Sequence, residues 1–332
     1  MTILRQRADR PRTALRRRLL PLHVAFALQG FMLWVPVEKL FMTEIGFDAT
    51  AVGVMAAAYA AIVPIIEVPS GILADRWSRR GVLIVASIAL MLCALIGGLS
   101  TDVPTYILSA LVLGVYFAMY SGTLDSIVYD TVLEETGASD AFEEVIGRVR
   151  LIESLALVVS SLLGGWIAGF TTTRLTYFLT VPIAGLSVIA YLRFSEPRLH
   201  KSIEPTSLRH HVALTYQTLT RRSRLLPIIT LVALTSVIVQ LLFEFGPLWL
   251  VALAVPAALY GPYWAGLVSS LGLGGLLAGR LPLERPGTAS SVAALMTLAS
   301  WVLTTTTSAV VVVAAQIVLA LLVVCASIHV TG

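Results

Sequence analysis

Long apolar runs divide this sequence and limit its fold more than any other feature. A helix that crosses the hydrocarbon core of a bilayer needs about 20 predominantly apolar residues. Ten runs of this kind lie between short polar segments. They cover approximately residues 21–43, 50–73, 81–100, 104–131, 147–170, 174–194, 226–252, 260–281, 288–306 and 309–330. The sequence therefore predicts a membrane protein with ten spans.

The composition supports a membrane environment and narrows the fold class. Hydrophobic residues make up 57% of the chain, charged residues 13%, and the mean hydropathy is +0.88. Soluble domains carry about 25% charged residues. No apolar run alternates with a period of two residues, as the strands of a membrane barrel do, and only helices or closed barrels satisfy their backbone in lipid. The predicted class is all-α, a polytopic helical membrane protein.

The positions of the Lys and Arg residues predict an orientation. If the N-terminus is cytoplasmic, every one of the 23 Lys and Arg residues except Lys39 and Arg174 falls in an inside segment. This is a strong positive-inside bias. It predicts a multi-pass protein of the cell's inner or plasma membrane, and the clustering of charge between apolar runs argues against nucleic acid as a partner.

The loop charges and two short repeats predict two halves. We expect a basic cytoplasmic N-tail at 1–20, a six-helix bundle at 21–194, a cytoplasmic central loop at 195–225 and a C-terminal bundle of four helices at 226–332. The stretch Gly71-Ile-Leu-Ala-Asp-Arg76 after the second span is echoed by Gly275-Leu-Leu-Ala-Gly-Arg280 at the end of the eighth. Repeated halves of this kind are one known plan for transporters.

The turn between the second and third spans is the most informative motif. The stretch Glu67-Val-Pro-Ser-Gly-Ile-Leu-Ala-Asp-Arg-Trp-Ser-Arg-Arg-Gly-Val-Leu83 sets one acid among basic residues, so that it can bridge neighbouring helices. It resembles the loop signature of the major facilitator superfamily, Gly-x-Leu-x-Asp-Arg-x-Gly-Arg-Arg, with Ser78 in place of the second glycine. The predicted cytoplasmic gate motif consists of Gly71, Asp75, Arg76, Arg79, Arg80 and Asp130.

The resemblance assigns specific roles within this motif. It implies that the loop arginines pair with an acid at the inner end of the fourth span, for which Asp130 is the best match and Asp125 the second. Gly71 is expected to permit close helix approach. The fourth span and the Glu67–Gly71 stretch are similar to a drug-efflux branch, whereas the fifth span lacks that branch's proline and keeps only small residues for close packing.

Polar groups inside the spans are candidates for a substrate path, because ionisable residues there are costly and functional by default. The resemblance implies that spans one, four, seven and ten line a central cavity. The candidates for proton coupling and the cavity are Glu244, Gln240, Asp125, Tyr129, Glu38, Trp34 and Gln29. Glu244, nearest mid-membrane in the seventh span, is the first choice for the proton-coupling carboxylate, with a structural ion pair as the alternative. Glu38 and Lys39 are expected at the outer boundary, and Glu153 is expected to pair with an arginine.

The predicted function is secondary active transport by alternating access, as proton-coupled efflux of small, largely apolar compounds. The expected partners are a small-molecule substrate, protons and the lipid bilayer, with no cofactor or metal and no oligomer implied. The alternatives are an uptake symporter or facilitator for a metabolite, or a non-transporting membrane sensor or fragment. An intramembrane aspartyl protease is disfavoured, because Gly275 stands where its second aspartate would be. Since the family has twelve spans, the chain is expected to lack the last two.

Overall fold

A computed structural model describes residues 2–197, 225–278 and 285–331, so most of the predicted central loop and Arg280 lie outside the described residues. The described chain is built from helices. They are α1 Thr2–Gly30, α2 Glu38–Glu44, α3 Ala49–Arg76, α4 Arg79–Leu99, α5 Val103–Thr136, α6 Phe142–Phe170, α7 Thr173–Leu192, α8 Leu225–Ala252, α9 Tyr260–Ala278, α10 Pro286–Thr305 and α11 Ala309–Thr331. The chain divides into two compact units, Met1–Ile203 and Glu204–Gly332.

The helical membrane architecture predicted from the apolar runs is confirmed. Among the described residues, 8 helices are long and apolar enough to cross a bilayer, the first of them spanning Leu15–Glu44. The other two predicted spans correspond to α8, in which Val237–Ala252 forms a shorter apolar stretch, and to α9. The many large apolar side chains left exposed on these helices suit contact with lipid tails.

The first span contains an interruption that the prediction of a single span at 21–43 did not include. Helix α1 begins at Thr2, so the segment expected as an N-tail is helical over residues 2–20. The helix then stops at Gly30, and a single turn at Val35–Val37 leads into α2. Pro36 lies near the start of this turn, a position where a helix tolerates its missing N–H. The hydroxyl of Thr180 accepts a hydrogen bond from the freed Leu33 amide at 3.2 Å.

Within the first unit, small residues let α6 approach this break closely. Ala156, Ser160, Ser161, Gly164 and Gly165 are all buried on α6. The Ser160 hydroxyl donates to the Gly30 carbonyl at 3.2 Å. Lipid tails are as apolar as the helix side chains, so the hydrophobic effect does not drive helices together in a bilayer. Membrane helices gain stability instead from such close contacts. The close packing expected from the composition of the fifth span is therefore present.

The turns of the first unit are stabilised by side-chain caps. Asp48, Ser78, Asp102 and Thr172 each accept a hydrogen bond from a backbone amide in the first turn of the helix that follows. Such caps satisfy amides that have no partner within the helix. They fix where α3, α4, α5 and α7 begin, and so place the charged turns described below.

The second unit is organised around α11, which packs against α8, α9 and α10. Its buried face includes Val312, Leu319 and Val323. One polar group lies within this face: the amide of Gln316 donates to the carbonyl of Gly246 on α8 at 3.1 Å. Pro247 follows directly, and its missing N–H weakens the ladder of α8 near that carbonyl.

Candidate functional site

The charged turn between α3 and α4 is tied to α5 by Arg79. The guanidinium of Arg79 donates to Asp130 at 2.5 Å and to the Ser126 carbonyl at 2.8 Å. A longer contact, at 3.4 Å, reaches Asp75. The side chains of Arg79 and Asp130 are each 12% exposed, whereas that of Asp75 is 70% exposed. Desolvation strengthens the first pair relative to the second, so Asp130 is the main partner of the arginine.

A second anchor on this turn was missed from the sequence. Ser78, at the position where the family signature has glycine, caps α4 by accepting from the Gly81 amide at 2.8 Å. The same hydroxyl donates to Glu196 at 2.7 Å, and the Arg80 amide donates to the other oxygen of that carboxylate at 3.2 Å. Arg80 also reaches the Phe194 carbonyl at 3.0 Å. The segment after α7 is thereby held on the turn.

The glycine of the motif does not make the close approach expected of it. A Cβ added at Gly71 would meet no described atom within 4 Å. Close approach occurs instead at Gly81, where a Cβ would lie 2.9 Å from the ring of Trp77. Arg76 is exposed at the end of α3.

A separate charge cluster joins α5 to α6. Arg150 donates to Asp125 at 2.8 Å and to Glu153 at 3.5 Å. The Tyr120 hydroxyl donates to the other oxygen of Glu153. Asp125, the second choice for the gate, thus pairs with α6 and not with the loop arginines. The expectation that Glu153 pairs with an arginine agrees with this contact.

The candidates on the first span lie in two buried networks. Gln29 donates to Ser87 at 2.8 Å and accepts from Tyr191 at 2.8 Å, which joins α1, α4 and α7. Glu38 accepts from Tyr106 at 2.9 Å and from Lys39 at 3.1 Å. Each of these two side chains is thus hydrogen-bonded to neighbouring residues of the first unit.

The remaining candidates are distributed over both units. Trp34 is 2% exposed and stacks on Tyr177 with the ring centroids 5.2 Å apart. Tyr129 is 40% exposed and contacts the edge of Phe142. In the second unit, Gln240 is exposed on α8 and Glu244 is partly buried one turn further on. The structure thus brings Asp125 close to Arg150 and Glu153, and leaves Tyr129 on the exposed part of α5.

The sequence matches the family profile described as Major Facilitator Superfamily over residues 19–332. The chain belongs to the major facilitator superfamily. A curated relative, Multidrug resistance protein 2 of Bacillus subtilis (strain 168), is 27% identical over 168 residues, which cover 50% of this chain and 40% of the relative. The matched region thus spans less than half the length of that relative.

Solved structures of several transporters share the fold. A mutant form of the nucleoside transporter NupG aligns over 95% of this chain and 86% of its own, with a TM-score of 0.72 and 15% identity. A bacterial homolog of the human lysosomal transporter Spinster aligns over 97% and 74%, with a TM-score of 0.70 and 14% identity. A D-xylose-proton symporter aligns over 92% and 80%, with a TM-score of 0.60 and 13% identity.

Family membership gives the charged turn its context. The signature of the superfamily falls on the α3–α4 turn, where Arg79 binds Asp130. The change from glycine to Ser78 adds two contacts, a helix cap and the bond to Glu196.

Proposed function

We propose that this chain is a secondary active transporter that exports small, largely apolar compounds in exchange for protons. The observation that carries the proposal is the superfamily match over residues 19–332, together with 27% identity to a multidrug resistance protein over 168 residues. The solved relatives contribute the fold alone. Uptake of a metabolite is the second candidate, and the direction of flux distinguishes the two.

The charged turn supplies a device suited to alternating access. Arg79 joins α4 to α5 through Asp130, and both side chains are largely buried. Asp75, which is exposed, is an alternative partner for Arg79. The guanidinium can therefore move from Asp130 to Asp75 without being left unpaired. We propose that this exchange accompanies opening and closing at the cytoplasmic side, with the N-terminus in the cytoplasm of an inner or plasma membrane.

Glu244 is the proposed proton-coupling carboxylate of the second unit. It lies on α8 one turn before the helix is weakened by Pro247, and its side chain is partly buried. Moving a charged carboxylate through an apolar environment costs free energy, so protonation and deprotonation of such a group can be tied to a conformational change. Gln240, one turn earlier on the same helix, is proposed to contribute to the substrate path.

Transport in proteoliposomes tests this proposal. We expect purified protein to move a fluorescent lipophilic dye against its concentration gradient when a proton gradient is imposed that drives protons in the opposite direction. Glu244→Gln should abolish the pH-driven component, while Glu144→Gln, an exposed carboxylate on α6, should leave it intact. Movement of a sugar or nucleoside with the proton gradient would replace efflux by uptake. Flux that persists in full after Glu244→Gln would exclude Glu244 as the coupling group.

A further inference from the structure

The Asp125–Arg150–Glu153 cluster has one more negative charge than positive charge. A single guanidinium serves two carboxylates, at 2.8 Å and 3.5 Å. With all three groups ionised the triad carries a net charge of −1. An uncompensated charge in a membrane-spanning segment is costly, and uptake of one cation removes it. A proton does this by binding directly to a carboxylate oxygen, without needing space between the groups.

The two carboxylates differ in how well they are stabilised as anions. Asp125 has the shorter contact with Arg150, and its side chain is 53% exposed. Glu153 has the longer contact, and its side chain is 18% exposed. Among the described residues, its other oxygen accepts from the neutral hydroxyl of Tyr120. A carboxylate that is more buried and less well paired is the one that binds a proton first.

Other helices enclose Glu153 with apolar or neutral groups. On α1, a Cβ added at Gly30 would lie 2.9 Å from the Glu153 backbone carbonyl, and Phe26 packs edge-on against Tyr120. Tyr116 on α5 stacks on Tyr120, and Phe26 also packs edge-on against Tyr191 on α7. Arg150 is its cationic neighbour among the described contacts, and Asp125 is the acid that competes for it.

We infer that Glu153 is a second proton-binding site of this protein, located in its first unit. It acts by shifting the guanidinium of Arg150 between Glu153 on the same helix, α6, and Asp125 on α5. When a proton from water binds the Glu153 oxygen facing Arg150, the guanidinium forms a neutral pair with Asp125 across the two helices. When that proton leaves, the guanidinium is shared again by both acids. The inference deepens the proposed function, because it adds to Glu244 a protonation site whose charge state alters the α5–α6 contact.

Infrared difference spectroscopy tests the site without depending on transport. The purified chain in lipid nanodiscs is titrated with pH, and the C=O stretch of a protonated carboxylic acid is followed. We expect wild type to show a titrating band that is lost in Glu153→Gln and retained in Glu144→Gln and Glu244→Gln. A spectrum of Glu153→Gln identical to that of wild type would overturn the inference.

Two conservative variants keep the test informative if Glu153→Gln does not fold. Tyr120→Phe removes the donor to the Glu153 carboxylate, and Asp125→Asn leaves Arg150 entirely to Glu153. Because the tyrosine stabilises the anion, we expect the midpoint of the Glu153 band to move to higher pH in Tyr120→Phe. We expect it to move to lower pH in Asp125→Asn. Midpoints unchanged in both would overturn the inference.

The spectroscopic and transport results can fail independently. If wild type shows no dye flux but retains the Glu153 band, the proposed function fails and the site stands. If flux is proton-driven and the band is unaffected by Glu153→Gln, the proposed function stands and the site fails.

Discussion

The carbonyl of Leu33 faces Gly164 so closely that no side chain fits between them. A Cβ added at Gly164 would overlap that carbonyl oxygen. The contact joins the broken part of the first span to the buried face of α6, and both partners are backbone. Since a backbone carbonyl cannot rotate away as a flexible side chain can, the position requires glycine for steric reasons.

Gly164→Ala should therefore destabilise the first unit. We expect a loss of about 1–3 kcal/mol, the usual cost of overpacking a close contact. Unfolding is measured by heating detergent-solubilised protein with a thiol reagent, because Cys93 and Cys325 are free and buried and report on one unit each. The control is Gly147→Ala on the same helix, where a Cβ meets nothing described within 4 Å and helix propensity favours alanine. Equal stability of the two variants would contradict the steric explanation.

The two acids near Arg79 predict unequal effects of the same substitution. Asp130→Asn removes the charged partner of a guanidinium that is 12% exposed, and we expect a loss of about 1–3 kcal/mol in stability. Asp75 is 70% exposed and 3.4 Å away, so Asp75→Asn should change stability by less than about 0.5 kcal/mol. Labelling of Cys93 on heating measures both. A larger effect at Asp75 would reverse the assignment of the main partner.

Ser78 has two contacts that substitutions can separate. Ser78→Ala removes the cap of α4 and the bond to Glu196, and the cap alone is worth about 1 kcal/mol. Ser78→Thr retains the hydroxyl and should be close to wild type. Ser78→Gly, which introduces the signature residue, should cost less through the cap but still remove the hydroxyl bond to Glu196, which then keeps its bond from the Arg80 amide. Limited proteolysis after α7 detects the loosened segment, and equal cleavage of Ser78→Gly and wild type would show that the Ser78–Glu196 bond does not help to hold it.

The cap of α5 predicts a pH dependence outside the membrane. The Thr105 amide, at 2.9 Å, and the Thr105 hydroxyl lower the pKa of Asp102 below its usual value. A lowered folded-state pKa means that the cap stabilises fully above the unfolded-state pKa and is lost as pH falls through the folded-state value. We expect faster exchange of the Thr105 amide at acidic pH in wild type, after correction for intrinsic rates. Asp102→Asn should remove this acid-dependent component, and its persistence in that variant would assign it to another group.

Much of the architecture could be predicted because lipid permits few solutions. Apolar runs of spanning length must be helices when they do not alternate, so the spans and the all-α class follow from hydropathy. The break in the first span was not predicted, because the apolar run 21–43 has the length and composition of one continuous span. In the structure the Leu33 amide of the broken stretch donates to the hydroxyl of Thr180 on another helix, a contact that hydropathy does not specify.

The partners within the charged sites were decided by the tertiary structure. Asp125 and Asp130 lie five residues apart on α5, which turns their side chains about 140° from each other at 100° per residue. Asp130 therefore meets Arg79 on α4, and Asp125 meets Arg150 on α6. The sequence by itself determined a helical membrane protein with an acid among arginines in one turn. Which acid binds which arginine depends on the packing of neighbouring helices, because spacing along one helix does not specify the rotation of the next.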